Sequence, residues 1–378
     1  MAKVIIACGG TGGHMAPGIA VAQALRKQDH QCRLLVSRKQ VDNRLSSSYQ
    51  ELDFLPMPGA AFSLHPLRMA RFAWAQIRSL VAHAKLMKSY KPDVVMAFGG
   101  FTSLGCVVTA WLWGVPVALH EANRKPGKAT RVLRRFANRI YLPEGIRLRN
   151  RLQSNVLYLG YPLREAFSKR TKESARELLN LPTSGKLLVV LGGSQGAMAL
   201  NNWVEEHWSK LAADGINVYC ITGLSRGEGE ERTATAHDGS KSHLWLVPFT
   251  DTMELVLSAA DLAISRAGAG SIAEMTQCLL PSILIPYPYA ADDHQRANAL
   301  FLESQGGCVV IDQNNISSLL GEVQDMIFND WMLERMRDNL RSIRREDTTS
   351  DIVRDLLSFA RHRAPKGILL EKVRSKNK

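Results

Sequence analysis

Val4-Ile5-Ile6-Ala7-Cys8 runs directly into Gly9-Gly10-Thr11-Gly12-Gly13-His14, and 183 positions further on Leu188-Val189-Val190-Leu191 runs into Gly192-Gly193-Ser194-Gln195-Gly196-Ala197. An apolar strand, a glycine turn and then a helix is how a doubly wound α/β domain presents backbone N–H groups to a ligand at the carboxyl edge of its sheet. The chain opens this way twice, which predicts two such domains. Further apolar, β-rich runs lie at 32–36, 93–98, 115–119 and 139–142 in the first half, and at 217–221, 243–247, 261–265, 282–286 and 308–311 in the second. Helix-like segments separate most of them, so the fold class reads as α/β with mainly parallel sheets covered on both faces. One large sheet, or two independent binding modules, would also accommodate these runs. The repeated opening favours two Rossmann-like domains facing across a cleft.

A chain of 378 residues exceeds what one core usually fills. The joint is placed at Gly160-Tyr161-Pro162, giving residues 1–160 as the first domain and 161–345 as the second. A final helix at about 349–362 is expected to pack back on the first domain, and the basic tail 363–378 reads as disordered. Neither glycine turn fits G-x-G-x-x-G or G-x-x-x-x-G-K-[ST], which argues against a nicotinamide cofactor and against a P-loop. His14 beside the first turn suits general-base work on a hydroxyl; the alternative is a histidine that caps the following helix. The six cysteines are scattered with no C-x-x-C pair, which speaks against a disulfide or zinc framework and for buried thiols in a reducing compartment.

Charge is divided unevenly. Residues 1–160 hold 23 Lys/Arg against 7 Asp/Glu, a net of +16, whereas the remainder is slightly acidic. Residues 54–92 contain no acid and six bases, and in that window Arg71, Phe72, Trp74, Ile77 and Arg78 recur at roughly helical spacing. Residues 122–143 contain seven bases and no acid, with Trp111 and Trp113 shortly before them. Bases interleaved with Trp, Phe and Ile fit a peripheral protein resting on an anionic lipid surface, with these residues membrane-facing; for residues 67–88 a core-facing helix with a solvated basic face is the alternative. A nucleic-acid partner is the other way to use such charge, but no RNA-binding signature accompanies it, so none is expected. No secretory leader is expected from the opening residues, and no apolar run is long enough to span a bilayer.

Read together, Gly9 to His14 with Pro17-Gly18, Phe98-Gly99-Gly100-Phe101, His120-Glu121-Ala122-Asn123, Gly160 to Arg164, Gly192 to Ala197, Ser265 to Glu274 and His294 to Ala299 resemble, in order, the motifs of the MurG family. Its members are UDP-N-acetylglucosamine:lipid I transferases of peptidoglycan synthesis, inverting glycosyltransferases of the two-Rossmann-domain GT-B type. The resemblance covers about residues 3–345. It implies UDP-GlcNAc as donor, the undecaprenyl-linked lipid I as acceptor, lipid II as product, and a place on the cytoplasmic face of the bacterial inner membrane.

The same resemblance implies roles. His14 would be the base, with Thr11, Gly12 and Gly13 lining the cleft near the donor pyrophosphate. Asn123 and Arg164 would contact the donor. Ser194, with Gln195 and Gly196 beside it, would bind phosphate at a helix start. Ala269, Gly270, Ser271, Ile272, Ala273 and Glu274 would open another helix, its N–H groups on the α-phosphate and Glu274 on the ribose hydroxyls. The backbone of Thr250 would read uracil, Gln295 would bind sugar hydroxyls, and Asn298 would support it nearby. Two departures stand out: Ala122 replaces the family's glutamine, and Gly270 lies where relatives often carry a bulkier residue. No D-x-D pair occurs, and Asp292-Asp293 is an adjacent doublet whose side chains need not converge, so no cofactor and no essential metal are expected. A glycolipid synthase or a UDP-GlcNAc 2-epimerase of the same fold remains the alternative.

Overall fold

Runs as apolar as Lys3–Ala7 and Lys186–Leu191 make stable strands only when both faces are covered, since successive side chains stand on opposite sides of a sheet. In the computed structural model each run lies in a seven-stranded sheet. The structure describes residues 1–9, 12–37, 47–58, 66–100, 102–146, 148, 155–167, 170–193, 196–224 and 227–360, and within these not the side chains of 12, 66–75 and 102.

The first sheet holds β1 (Lys3–Ala7), β2 (Gln31–Val36), β3 (Asp53–Pro56), β4 (Val94–Ala97), β5 (Val117–His120), β6 (Arg139–Leu142) and β7 (Val156–Tyr158). They lie in the order β3-β2-β1-β4-β5-β6-β7, all parallel. The second holds β8 (Lys186–Leu191), β9 (Ile216–Ile221), β10 (Glu230–Thr235), β11 (Lys241–Val247), β12 (Leu262–Ser265), β13 (Ser282–Leu284) and β14 (Cys308–Val310). Its order is β10-β11-β9-β8-β12-β13-β14, parallel except for β10 against β11. In both sheets the direction of winding reverses next to the opening strand, between β1 and β4 and between β8 and β12. The two glycine turns therefore leave their sheets at the switch points, where open α/β sheets bind ligands.

Alternation along each strand divides the cores. Val4 and Ile6 pack with Ile19 and Leu25 on one face, while Ile5 and Ala7 pack with Cys106 and Val107 on the other. The second sheet repeats this, with Leu188 and Val190 against Leu200 and Val204, and Leu187 and Val189 against Val256 and Met275. The six cysteines are free, five of them buried among apolar neighbours.

The helix Thr348–Ala360 buries Ile352, Val353, Leu356 and Leu357 in the core of the first domain, each worth about 1.5–3 kcal/mol. Asp355 on it accepts from the Tyr141 hydroxyl at 2.9 Å and pairs with Arg139 at 2.9 Å. The chain thus crosses between domains twice, at 160–162 and again near Arg345, which bonds the Tyr158 carbonyl at 2.9 Å and Glu144 at 2.6 Å. Beyond the first crossing, buried Arg176 ties the entering segment to Asp261 at 2.9 Å and to the Ala259 carbonyl at 3.0 Å.

Candidate functional site

The first glycine turn leads into the helix Gly12–Lys27, so His14 falls in its first turn at the switch point. Its imidazole lies over Gly99 and Gly100, which follow β4. A Cβ at Gly100 would stand 3.4 Å from Nδ1 and one at Gly99 3.6 Å from Nε2, and both residues hold positive φ, 76° and 93°. A side chain at either position would strain the turn because of the positive φ, whereas the ring itself stands at ordinary contact distance. His120, at the end of β5, packs against Phe98 and Tyr161 with ring centroids 5.2 and 6.2 Å away. Burial pulls its pKa down to about 4, so it is neutral and donates through Nε2 to the Gly160 carbonyl at 3.2 Å. This fastens the domain joint to the sheet edge.

Gly13, directly before His14, lines a cleft together with the start of the helix Ala269–Gln277, while the His14 side chain is turned to Gly99 and Gly100. The N-cap of this helix is Gly268, and no side chain caps it. The first N–H groups of a helix have no intrahelical partner, and a helix start left without a cap at a cleft is suited to an anion. Gly13, Tyr161, Arg164, Gly193, Phe249, Thr250, Gly270, Ser271 and Glu274 line this cleft, whose open mouth included spans about 1150 Å³. Six residues expected from sequence therefore meet in one place: Gly13, Arg164, Thr250, Gly270, Ser271 and Glu274. Ala269, Ile272 and Ala273 turn their side chains to a second cavity on the far side of Tyr161, so their backbones alone can serve the cleft.

Arg164 directs its guanidinium at protein partners. It donates to the Tyr49 hydroxyl at 2.7 Å and approaches Glu274 to 3.7 Å, while its buried Nε makes no hydrogen bond among the described residues. Burial pushes the Glu274 carboxyl up to about 7; the nearby Arg164 lowers it and Glu254 raises it, and burial dominates. Glu254 itself is buried with Oε2 unpartnered among the described residues.

Asn123 and Asn298 form a clasp between the domains rather than lining this cleft. The amide of Asn298 donates to Asn123 Oδ1 and to the Ala267 carbonyl, both at 3.1 Å, and its Oδ1 accepts from Arg124 N at 2.9 Å. Glu121 orders the loop from below, accepting from Asn123 N at 2.9 Å, Gly127 N at 2.8 Å and the Thr130 hydroxyl at 2.8 Å. Gln295 Oε1 is engaged by Tyr287 N at 2.9 Å, leaving its NH2 group as the donor. Asp292 and Asp293 diverge to Arg131 and Lys125. Gly196 follows the second glycine turn, and the helix after it begins at Met198. Thr11, Ser194, Gln195 and the side chains of Arg71, Phe72 and Trp74 lie outside the described residues. Sequence reasoning gave no role to Tyr49, Glu121, Tyr161 or Glu254; only Glu121 and Tyr161 sat inside quoted motifs.

Residues 4–142 match the glycosyltransferase family 28 N-terminal domain and residues 187–352 match its C-terminal domain. The chain is 47% identical, over 97% of both chains, to the UDP-N-acetylglucosamine–N-acetylmuramyl-(pentapeptide) pyrophosphoryl-undecaprenol N-acetylglucosamine transferase of Opitutus terrae. The chain belongs to glycosyltransferase family 28. The transferase of the same name from a Synechococcus species is 34% identical over 96% of this chain and 100% of its own. In fold, this family 28 chain superposes on the crystal structure of Acinetobacter baumannii MurG with a TM-score of 0.72, covering 95% of this chain and 100% of that one at 24% identity. The two Rossmann-like domains expected from the repeated openings, and the GT-B architecture implied by the resemblance, are what is found.

Outside the cleft, the first domain exposes Trp111, Leu112 and Trp113 at 52, 62 and 49%, together with Ile77, Val81 and Val132. Arg78, Lys85, Lys128, Arg131 and Arg135 are exposed on the same helices or next to them. Among the described residues no helix is long and apolar enough to cross a membrane.

Proposed function

We propose that this family 28 enzyme transfers N-acetylglucosamine from UDP-GlcNAc to the 4-hydroxyl of the N-acetylmuramyl unit of lipid I, forming lipid II for peptidoglycan, with inversion at the anomeric carbon. The observation carrying the site assignment is the confrontation of the His14 turn with the uncapped start of the Ala269–Gln277 helix in one cleft that also holds Glu274. His14 takes the proton of the attacking hydroxyl. As the bond to UDP breaks, charge gathers on the diphosphate, where helix N–H groups stabilise it without having to reorganise. Glu274 accepts from the ribose hydroxyls and the Thr250 backbone meets uracil. Arg164 turns from Glu274 toward the diphosphate when the donor arrives, its Nε, which has no partner among the described residues, adding a donor. Asn123 positions the donor from the interdomain clasp, and the Gln295 NH2 group donates to its sugar.

The diphosphate charge is handled by amides and one guanidinium, so no metal is essential. Transfer of labelled GlcNAc to a lipid I analogue is the test. We expect product, with the rate after EDTA treatment within about twofold of the untreated rate, well inside one hydrogen bond's worth. Loss of activity that Mg²⁺ restores fully would refute the metal-free arrangement, and absence of product would refute the reaction.

The exposed Trp and Ile side chains with their neighbouring bases dock the first domain on anionic lipid, each base worth about 1 kcal/mol near the surface. Co-sedimentation should rise with the anionic fraction of the vesicles and fall with salt. Equal binding to neutral vesicles would sink this docking mode.

A further inference from the structure

Helix Gly12–Lys27 contains Pro17 in its second turn. The carbonyl that an N–H at position 17 would meet is that of Gly13, and proline has no N–H to offer. The Tyr161 hydroxyl donates to that Gly13 carbonyl at 3.1 Å. It reaches across from the domain joint, 148 positions away in sequence. The phenol occupies this place against a residue that lacks a side chain: a Cβ at 270 would stand 2.9 Å from the hydroxyl oxygen and 3.3 Å from the adjoining ring carbon and would push the ring aside. Three elements thus meet at one ring: the base-bearing helix turn, the joint, and the helix start proposed to hold the diphosphate. Burial and the charge of Glu274 hold the phenol's pKa well above its ordinary value, so it remains a donor.

We infer that Tyr161 is a positioning residue for the transfer: it supplies the hydrogen bond that Pro17 cannot, fixing the turn that carries His14 against the Gly270 edge. This rests on the reaction proposed above. Gly13 precedes His14 directly, so loosening the bond displaces the base more than the donor, and misplacement of reacting groups is felt in kcat.

The test uses the full chain. Tyr161→Phe should lower kcat roughly 3- to 10-fold, the worth of one hydrogen bond left unmade. The KM for UDP-GlcNAc should stay within about twofold, because binding shared by ground and transition states is untouched. Pro17→Ala returns an N–H to the helix, so Tyr161→Phe made on that background should cost less than about twofold, the non-additivity of two groups serving one acceptor. An unchanged kcat for Tyr161→Phe, an effect confined to KM, or equal losses on both backgrounds would overturn the inference. Should the natural chain make no product, the reaction assignment fails by itself. The interlock is then judged by melting temperatures of the same four proteins: coupling between the two substitutions supports it, and simple additivity overturns it.

Discussion

Replacing His14 by alanine should lower kcat roughly 10²- to 10⁴-fold, the range contributed by a positioned general base, while calorimetric affinity for UDP-GlcNAc stays near that of the natural chain. The reasoning is geometric. His14 lies in the first turn of a helix that leaves the sheet at its switch point, and its ring lies beside two glycines held at positive φ. Nothing in that setting helps fold the donor-binding domain, whose core is built from other strands. The loss should therefore be of transition-state stabilisation alone, seen as a fall in kcat with KM held. Glutamine at 14 keeps polarity and approximate size but accepts no proton, so it should be nearly as inactive as alanine. A kcat for His14→Ala within threefold of the natural value would remove the histidine from the chemistry.

What could be read from sequence, and what could not, follows from distance along the chain. Strands covered on both faces were legible because burial on both sides demands a continuous apolar run, as in β1, β8 and β12. The three strands not foreseen, β3, β7 and β10, are all outer strands. β10 reads Glu-Glu-Arg-Thr-Ala-Thr, with exposed positions alternating with half-buried ones, because it is an edge strand with little to bury. The glycine edges were legible because their function is written in adjacent residues. The clasp between Asn123 and Asn298 was not, since the two amides lie 175 positions apart and meet only once both domains have folded. The same holds for Tyr161 and Gly270. Gly270 by itself looked like a departure from pattern and Tyr161 like part of a motif, and the structure makes them complementary. Glu274 was foreseen as a ribose partner, but its raised pKa was not, because burial and the proximity of Glu254 are properties of packing.

That pKa gives the second large effect. In the folded chain the Glu274 carboxyl titrates at about 7 instead of 4.5 because burial outweighs the attraction of Arg164. Below pH 4.5 folded and unfolded chains both hold the proton, and the group costs nothing. As pH rises toward 7 the unfolded chain gives up its proton before the folded one does, so stability falls, by an amount on the order of 3 kcal/mol. Glu274→Gln should accordingly melt higher than the natural chain at pH 8 and at the same temperature near pH 4. Donor binding runs the other way. Ribose hydroxyls donate to the ionised carboxylate, so affinity for UDP-GlcNAc should climb between pH 5.5 and 7.5 and then level. At pH 8 the glutamine variant should bind about 10- to 100-fold more weakly, the worth of hydrogen bonds to a charged group. The nucleotide sugar is the right probe, since the terminal phosphate of free UDP titrates near pH 6 and would add a slope of its own. If Glu274→Gln kept the natural pH dependence of binding, the carboxylate would not be the group that meets the ribose, and the cleft would have to hold its nucleotide in another orientation.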